Sequence, residues 1–305
     1  MPQPNSVDVA ISVYGKPHIT AVTLLSLLRQ SGQWIDTIYF IEEREQPEHT
    51  DLSWLKMLLT PYKVVYYSPW VNYGYRNMNE SPRRYLLSLP LFRHSLRYQY
   101  AWEKTDKSRL FITHNDVLYK ADLVGAYLDH IGDTIGIGKV GQCWNCPAFK
   151  ESLCDGDRYA SHRPSKEEVV KLYDRHGDPR GGSYRKQLDK QGSWPLPECR
   201  LNEYACLVNM EKARPATQPY GNAQPFGFFG NIDTGSDWFH EVSHQGFSVT
   251  NFDYDPYATH SWVNALNNGH RALADRSIYD TEEAIARQYL ETEFGVNSYQ
   301  AIRTK

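Results

Sequence analysis

The sequence predicts an α/β fold, a mainly parallel sheet flanked by helices and interrupted by a cysteine-bearing insertion. Three observations lead there. The first third alternates short β-branched runs with amphipathic stretches, the connections between them are short, and polar residues collect where the strands end. Sheets of this kind bind ligands beyond the carboxyl ends of their strands, so those ends are where a site is expected.

Val7 to Val13 (VDVAISV) reads as the first strand, closed by Tyr14-Gly15. Pro17 suits a helix start, and Ile19, Val22, Leu24, Leu25, Leu27 and Leu28 give an apolar face up to a stop at Ser31-Gly32. Ile35 to Ile41 is a second strand that delivers Glu42 and Glu43 at its end. Thr50 is expected to cap a helix carrying Leu52, Leu55, Leu58 and Leu59, with Pro61 closing it. Val64 to Tyr67 is a third strand, Leu91 to Glu103 a helical stretch, and Leu110 to Thr113 a fourth strand that empties into His114-Asn115-Asp116. Further on, Ser165 to Glu168 forms a capping box ahead of Val169, Val170, Leu172 and Tyr173. A last helix is expected from Thr281 to Phe294.

These elements divide the chain into an α/β half (1–138), a cysteine-rich insertion (139–200) and a second half of the same domain (201–305). The insertion holds four of the five cysteines and the turn-rich passage His176 to Gly182, and it looks short of apolar material for a core of its own.

Composition removes several classes of function. With 305 residues that include 22 Tyr, 11 Phe and 8 Trp, the chain can bury far more surface than a disordered one. Lys and Arg number 33 against 36 Asp and Glu, so no overall positive field would hold a nucleic-acid backbone. No run of eighteen apolar residues occurs, and Met1 to Asp8 lacks a basic segment leading into an apolar one. A soluble cytoplasmic protein with reduced thiols is the expectation, and five cysteines cannot all pair within one chain.

Cys143 and Cys146 form a CxxC pair, with Cys154 eight positions on and Cys199 much later in a Pro-Glu loop. A CxxC turn can present two thiolates to one tetrahedral ion, and two further thiols would complete a four-sulfur structural site. Zinc is the expected metal, an iron–sulfur cluster would use the same ligands, and buried or redox thiols are the alternative. Cys206 lies in an apolar run and is expected in the core. His240-Glu241-Val242-Ser243-His244 satisfies HExxH, which on a helix puts two imidazoles on one face for zinc, with the glutamate as base. No second metal-ligand element follows it; Gly246, Phe247 and Val249 stand in that place.

The strand ends carry a family resemblance. VAISVYGKP (Val9 to Pro17), FIEE (Phe40 to Glu43) and ITHNDV (Ile112 to Val117) together resemble the nucleotide-binding half of GT-A-type glycosyltransferases, close in style to family 2. The resemblance implies a GT-A-like fold and places Tyr14 and Glu42 at the nucleotide. It puts His114 and Asp116 at the diphosphate or its divalent metal, Mn or Mg. His114 stands where the family's first metal-motif aspartate would be, which puts metal dependence in question. In the last third, Gly230 to Gly235 before a short helix and His260 after a strand are similar to elements of the same enzymes. They imply Asp233 as general base, with Asp237 in reserve, and His260 as a second metal or phosphate ligand.

The function expected is therefore transfer of a sugar from a nucleotide-sugar donor to a glycan, lipid-linked or other hydroxyl acceptor. A zinc hydrolase built on His240, Glu241 and His244, and a non-catalytic zinc-stabilised sugar- or nucleotide-binding protein, are the other readings. Trp70, Tyr73, Tyr75, Trp194, Trp238 and Trp262 are candidate stacking platforms for sugar rings. Arg83, Arg84, Arg93 and Arg97 are candidate diphosphate contacts.

Overall fold

The computed structural model describes residues 6–48, 50–71, 85–229, 232–264, 272 and 274–297. Tyr73, Tyr75, Arg83, Arg84, Gly230 and Asn231 lie outside them.

Strand β1 (Val7–Val13) leads through Lys16 into α1 (Pro17–Ser31), followed by β2 (Ile35–Glu42), α2 (Ser53–Leu58) and β3 (Val64–Tyr67). Next come two short helices, α3 (Pro90–Arg93) and α4 (Gln99–Lys104), then β4 (Arg109–Thr113), β5 (Val117–Tyr119), α5 (Leu123–His130) and β6 (Gly136–Val140). The middle segment contributes α6 (Pro147–Lys150), α7 (Lys166–His176) and α8 (Ser183–Gln191). The chain then forms β7 (Leu201–Asn209), α9 (Met210–Ala216), α10 (Ser236–His244), β8 (Val249–Asn251), β9 (Ala258–His260) and α11 (Arg276–Tyr289).

Seven strands form one sheet in the order β3-β2-β1-β4-β7-β6-β8, and β5 pairs with β9 in a small sheet of two. Within the large sheet only β7 runs against its neighbours. The result is the mainly parallel sheet that the alternation predicts.

Period-two alternation divides the core into two faces. Val7, Val9, Ile11 and Val13 of β1 join Ile38 and Phe40 of β2 and Phe111 of β4 beneath α1. Ala10, Tyr39, Ile41, Leu110 and Ile112 point the other way, into a cluster with Trp102, Phe226 and Trp238. The middle segment does not stand apart from this second cluster. Its Tyr159, Val169, Leu172, Tyr173, Tyr184 and Leu188 pack into it, so the segment shares a core rather than building one. Cys206 is fully buried there, as its apolar run predicts.

Three elements differ from the sequence reading in detail. No side chain caps α2, whose N-cap residue is Leu52 rather than Thr50; Asp51 Oδ1 accepts from Ser53 N–H at 2.8 Å just ahead of it. The last helix begins at Arg276, five residues early, because Asp275 accepts from the N–H groups of Ser277 and Ile278. The stretch from Leu91 to Glu103 breaks into α3 and α4 around Tyr98, whose φ is +66°. Gly227 packs against that break, and a Cβ there would sit 1.7 Å from the Arg97 carbonyl oxygen. Gly227→Ala is therefore expected to cost about 3 kcal/mol, lowering Tm by about 6 °C. Gly32→Ala, where a Cβ meets nothing within 4 Å, serves as the neutral control in the same melts.

Arg93 is buried against Glu103, which also takes bonds from His94 (3.0 Å) and Gln99 (2.8 Å). It is thus a buried structural cation. Burial would raise the Glu103 carboxyl, but these donors hold it down at about 2, below its ordinary 4.5. A lowered carboxyl stabilises the fold above its unfolded value and loses that contribution as pH falls through the folded one. Glu103→Gln should cost about 2 kcal/mol at neutral pH after allowance for solvent screening, with the gap closing toward about pH 2. Urea melts of both proteins across acidic pH check this.

Among the described residues no helix is long and apolar enough to cross a membrane.

Candidate active site

The turn after β4 is placed by α1. Thr20, Thr23 and Ser26 lie three residues apart on one buried stripe of that helix. Their hydroxyl oxygens accept from Asn115 Nδ2 (3.2 Å), Val117 N–H (3.1 Å) and Tyr119 N–H (3.1 Å). This docks the chain from Asn115 into β5. Strand β9 then pairs antiparallel with β5, setting His260 opposite Val117. Asp116 and His260, 144 positions apart in sequence, meet for that reason.

Asp116 Oδ1 lies 3.4 Å from His260 Nε2 and 3.8 Å from His114 Nδ1. Ser261, held at φ +50°, donates to Asp116 Oδ2 at 3.3 Å. Asp116 Oδ1 is buried and accepts no hydrogen bond. Burial alone would raise this carboxyl, but His260 first, then His114 and Lys16, overcome burial and hold it well below the usual carboxylate range. Among the described residues, His114, Asp116 and His260 form the one group whose ligand atoms all lie within 4.8 Å of one another. An anionic oxygen without a donor, facing two imidazoles, suits a divalent cation.

The antiparallel strand completes the site. Because β7 runs against β4, its beginning lies at the same sheet edge as the end of β4, and His114 N–H donates to Tyr204 O at 3.2 Å. Glu203 Oε1 stands 3.3 Å from His114 Nε2, and Arg200 pairs with Glu203 at 2.9 Å. Burial works against the Glu203 carboxylate, yet Arg200 and His114 hold it below its ordinary range. Tyr204 stacks on the His260 ring at 4.4 Å.

A cleft of about 580 Å³ opens over these groups, within the range of small-molecule sites. Its walls include His114, His260, Lys139, Arg200, Tyr254 and Trp144, whose ring is half exposed. Asp233 also lines it, receiving Gln142 Nε2 at 2.6 Å and Thr234 N–H at 3.0 Å, with Arg180 at 2.9 Å and Arg200 at 3.1 Å. A second groove adjoins the cleft through Arg97, Phe229 and Thr234, and continues to Ser12 and Glu43.

Tyr14 follows β1 at this edge and is half-buried. Glu42 turns outward to pair with Lys56, whereas Glu43 lines the groove and meets Arg97 at 3.4 Å. Asp237 accepts from Gln187 and Gln191 and does not line the cleft. Of the aromatic platforms, Trp238 is core, Trp194 packs on Arg163 and His244, and Trp262 packs on Tyr289. Trp144 was hidden between two cysteines, and Arg200, Glu203 and Tyr204 in an ordinary-looking strand. A charged pair three residues apart in an otherwise apolar run was the available signal for the latter.

The HExxH residues face three different partners. His240 Nε2 meets the Leu196 carbonyl at 3.1 Å, and burial lowers this imidazole to about 4. Glu241 accepts from Gln224 N–H, and His244 packs edge-on against Trp194. No third ligand joins them among the described residues.

Cys143, Cys146, Cys154 and Cys199 line one small cavity, and all are free thiols. Their sulfurs do not close to mutual ligand distance. Cys143 Sγ is instead turned onto the Val140 carbonyl (3.7 Å) and Cys154 Sγ onto that of Asp155 (3.5 Å). Burial pushes all four thiols up, Cys154 to about 12.

No protein-family model matches the chain, and no curated protein matches it in sequence. Similar solved structures include the apo form of mouse xyloside xylosyltransferase 1, at 15% identity and TM-score 0.43, covering 82% of this chain and 85% of that one. Another is the mannosyltransferase PcManGT from Pyrobaculum calidifontis in complex with GDP-Man and Mn2+, at 10% identity and TM-score 0.42, covering 100% and 81%. A third is glucosyl-3-phosphoglycerate synthase from Mycobacterium tuberculosis with Mn2+, UDP and phosphoglyceric acid, at 9% identity and TM-score 0.42, covering 92% and 78%.

Proposed function

We propose that the protein is a glycosyltransferase that moves a sugar from a nucleotide-sugar donor to a hydroxyl group of an acceptor. The observation that carries this is the meeting of Asp116, His114 and His260 at the end of β4, beside a cleft that also presents Asp233. Asp116 and His260, with His114 beside them, would hold a divalent cation. When bound, such an ion neutralises charge on a diphosphate leaving group.

The chain's own residues supply the rest. The cleft of about 580 Å³ takes the donor, with Tyr14 at the same sheet edge. Arg200 and Lys139, in the cleft wall, offer positive charge to the diphosphate. Asp233 accepts the acceptor's hydroxyl proton as that oxygen bonds to the anomeric carbon. The carbon–oxygen bond to the diphosphate breaks, and its electron pair leaves with the diphosphate. Trp144 gives the acceptor a flat apolar face at the rim.

A thermal-shift screen of nucleotide-sugars with and without Mn2+ tests this without requiring turnover. A donor at a hundred times its Kd should stabilise the protein by about 2.7 kcal/mol, raising Tm by about 5 °C. We expect a Mn2+-dependent shift that His260→Ala removes. No shift with any nucleotide-sugar would overturn the proposal.

A further inference from the structure

We infer that Cys143, Cys146, Cys154 and Cys199 form a structural zinc site that braces one wall of the cleft. This goes beyond the transferase reading and does not depend on it.

The fold brings these thiols together from two segments 45 residues apart, joined where Gly141 N–H meets Arg200 O at 2.7 Å and Gln142 N–H meets Glu198 O at 2.9 Å. The space they line is about 10 Å³, room for one atom-sized guest and no organic ligand. As neutral thiols, Cys143 and Cys154 turn onto backbone carbonyls. Rotation of these two side chains toward the cavity closes a four-sulfur set, with bond lengths of about 2.3 Å to zinc. Binding releases the four thiol protons to solvent.

The consequence for the cleft follows from the order of residues. Trp144 and Asn145 line the cleft, while the cysteines on either side of them line the cavity behind it. A metal holding Cys143 and Cys146 fixes both residues in the wall.

Elemental analysis of the full chain, purified from zinc-supplemented cells without chelator, should give about one zinc per chain. Cys154→Ser and Cys199→Ser should each lose it, Cys206→Ala should keep it, and stripping the zinc should lower Tm. Should the serine variants fail to fold, zinc-edge X-ray absorption of the wild type still decides, with sulfur scatterers alone at about 2.3 Å expected. Metal-free protein, zinc bound through nitrogen or oxygen, a native disulfide among these cysteines, or iron with acid-labile sulfide would each overturn the inference.

Discussion

Asp116→Asn is expected to lower sugar transfer about a thousandfold while leaving the protein folded. The substitution keeps the side chain's shape and its acceptance of the Ser261 hydroxyl, but it removes the charge that both imidazoles face. A neutral amide oxygen is a poor ligand in a site whose other donors are two imidazole nitrogens. Leaving-group stabilisation and Mn2+-dependent donor binding should therefore fall together. Because Asp116 is held well below the usual carboxylate range, the wild type keeps this charge through mildly acidic pH. Steady-state kinetics at saturating Mn2+, paired with thermal melts, separates lost chemistry from lost fold. Unchanged kcat in a folded Asp116→Asn would remove Asp116 from the reaction.

Asp233→Asn should lower kcat by about a hundred- to ten-thousandfold, with little change in donor affinity. Its carboxylate lines the cleft and is held from several sides, by Gln142, Arg180 and Arg200. Asparagine occupies the same volume and still accepts the Gln142 bond, yet it cannot take a proton from the acceptor hydroxyl. If Asp233 only held the two arginines in place, the variant would lose Tm and donor binding, and kcat of the folded fraction would stay level. The split between kcat and donor KM tells the two roles apart.

The sequence made the parallel half readable because each of its strands carries its own period-two pattern and its own stop. β1, α1 and β3 match residue for residue, and the His114 to Asp116 turn lies where the fourth strand empties. The meeting of Asp116 with His260 depends on β5–β9 pairing between three-residue strands, too short to announce a register. Arg200 and Glu203 were concealed for a different reason. Only the reversed direction of β7 brings its start to the ligand edge, and strand direction leaves no mark on composition. Glu42 and Glu43 are adjacent, and pleat alternation sends one to Lys56 and the other to the groove. The four cysteines show the converse, for their spacing suggested a common site before any geometry did, and the fold places all four around one cavity.

Release of nucleoside diphosphate from a panel of nucleotide-sugars, with Mn2+ and with sugar acceptors present, tests the transferase assignment most directly. The wild type should turn over at least one donor, with release stimulated by an acceptor and lowered about a thousandfold in Asp116→Asn. Release from no donor, or equal release by wild type and Asp116→Asn, would contradict it.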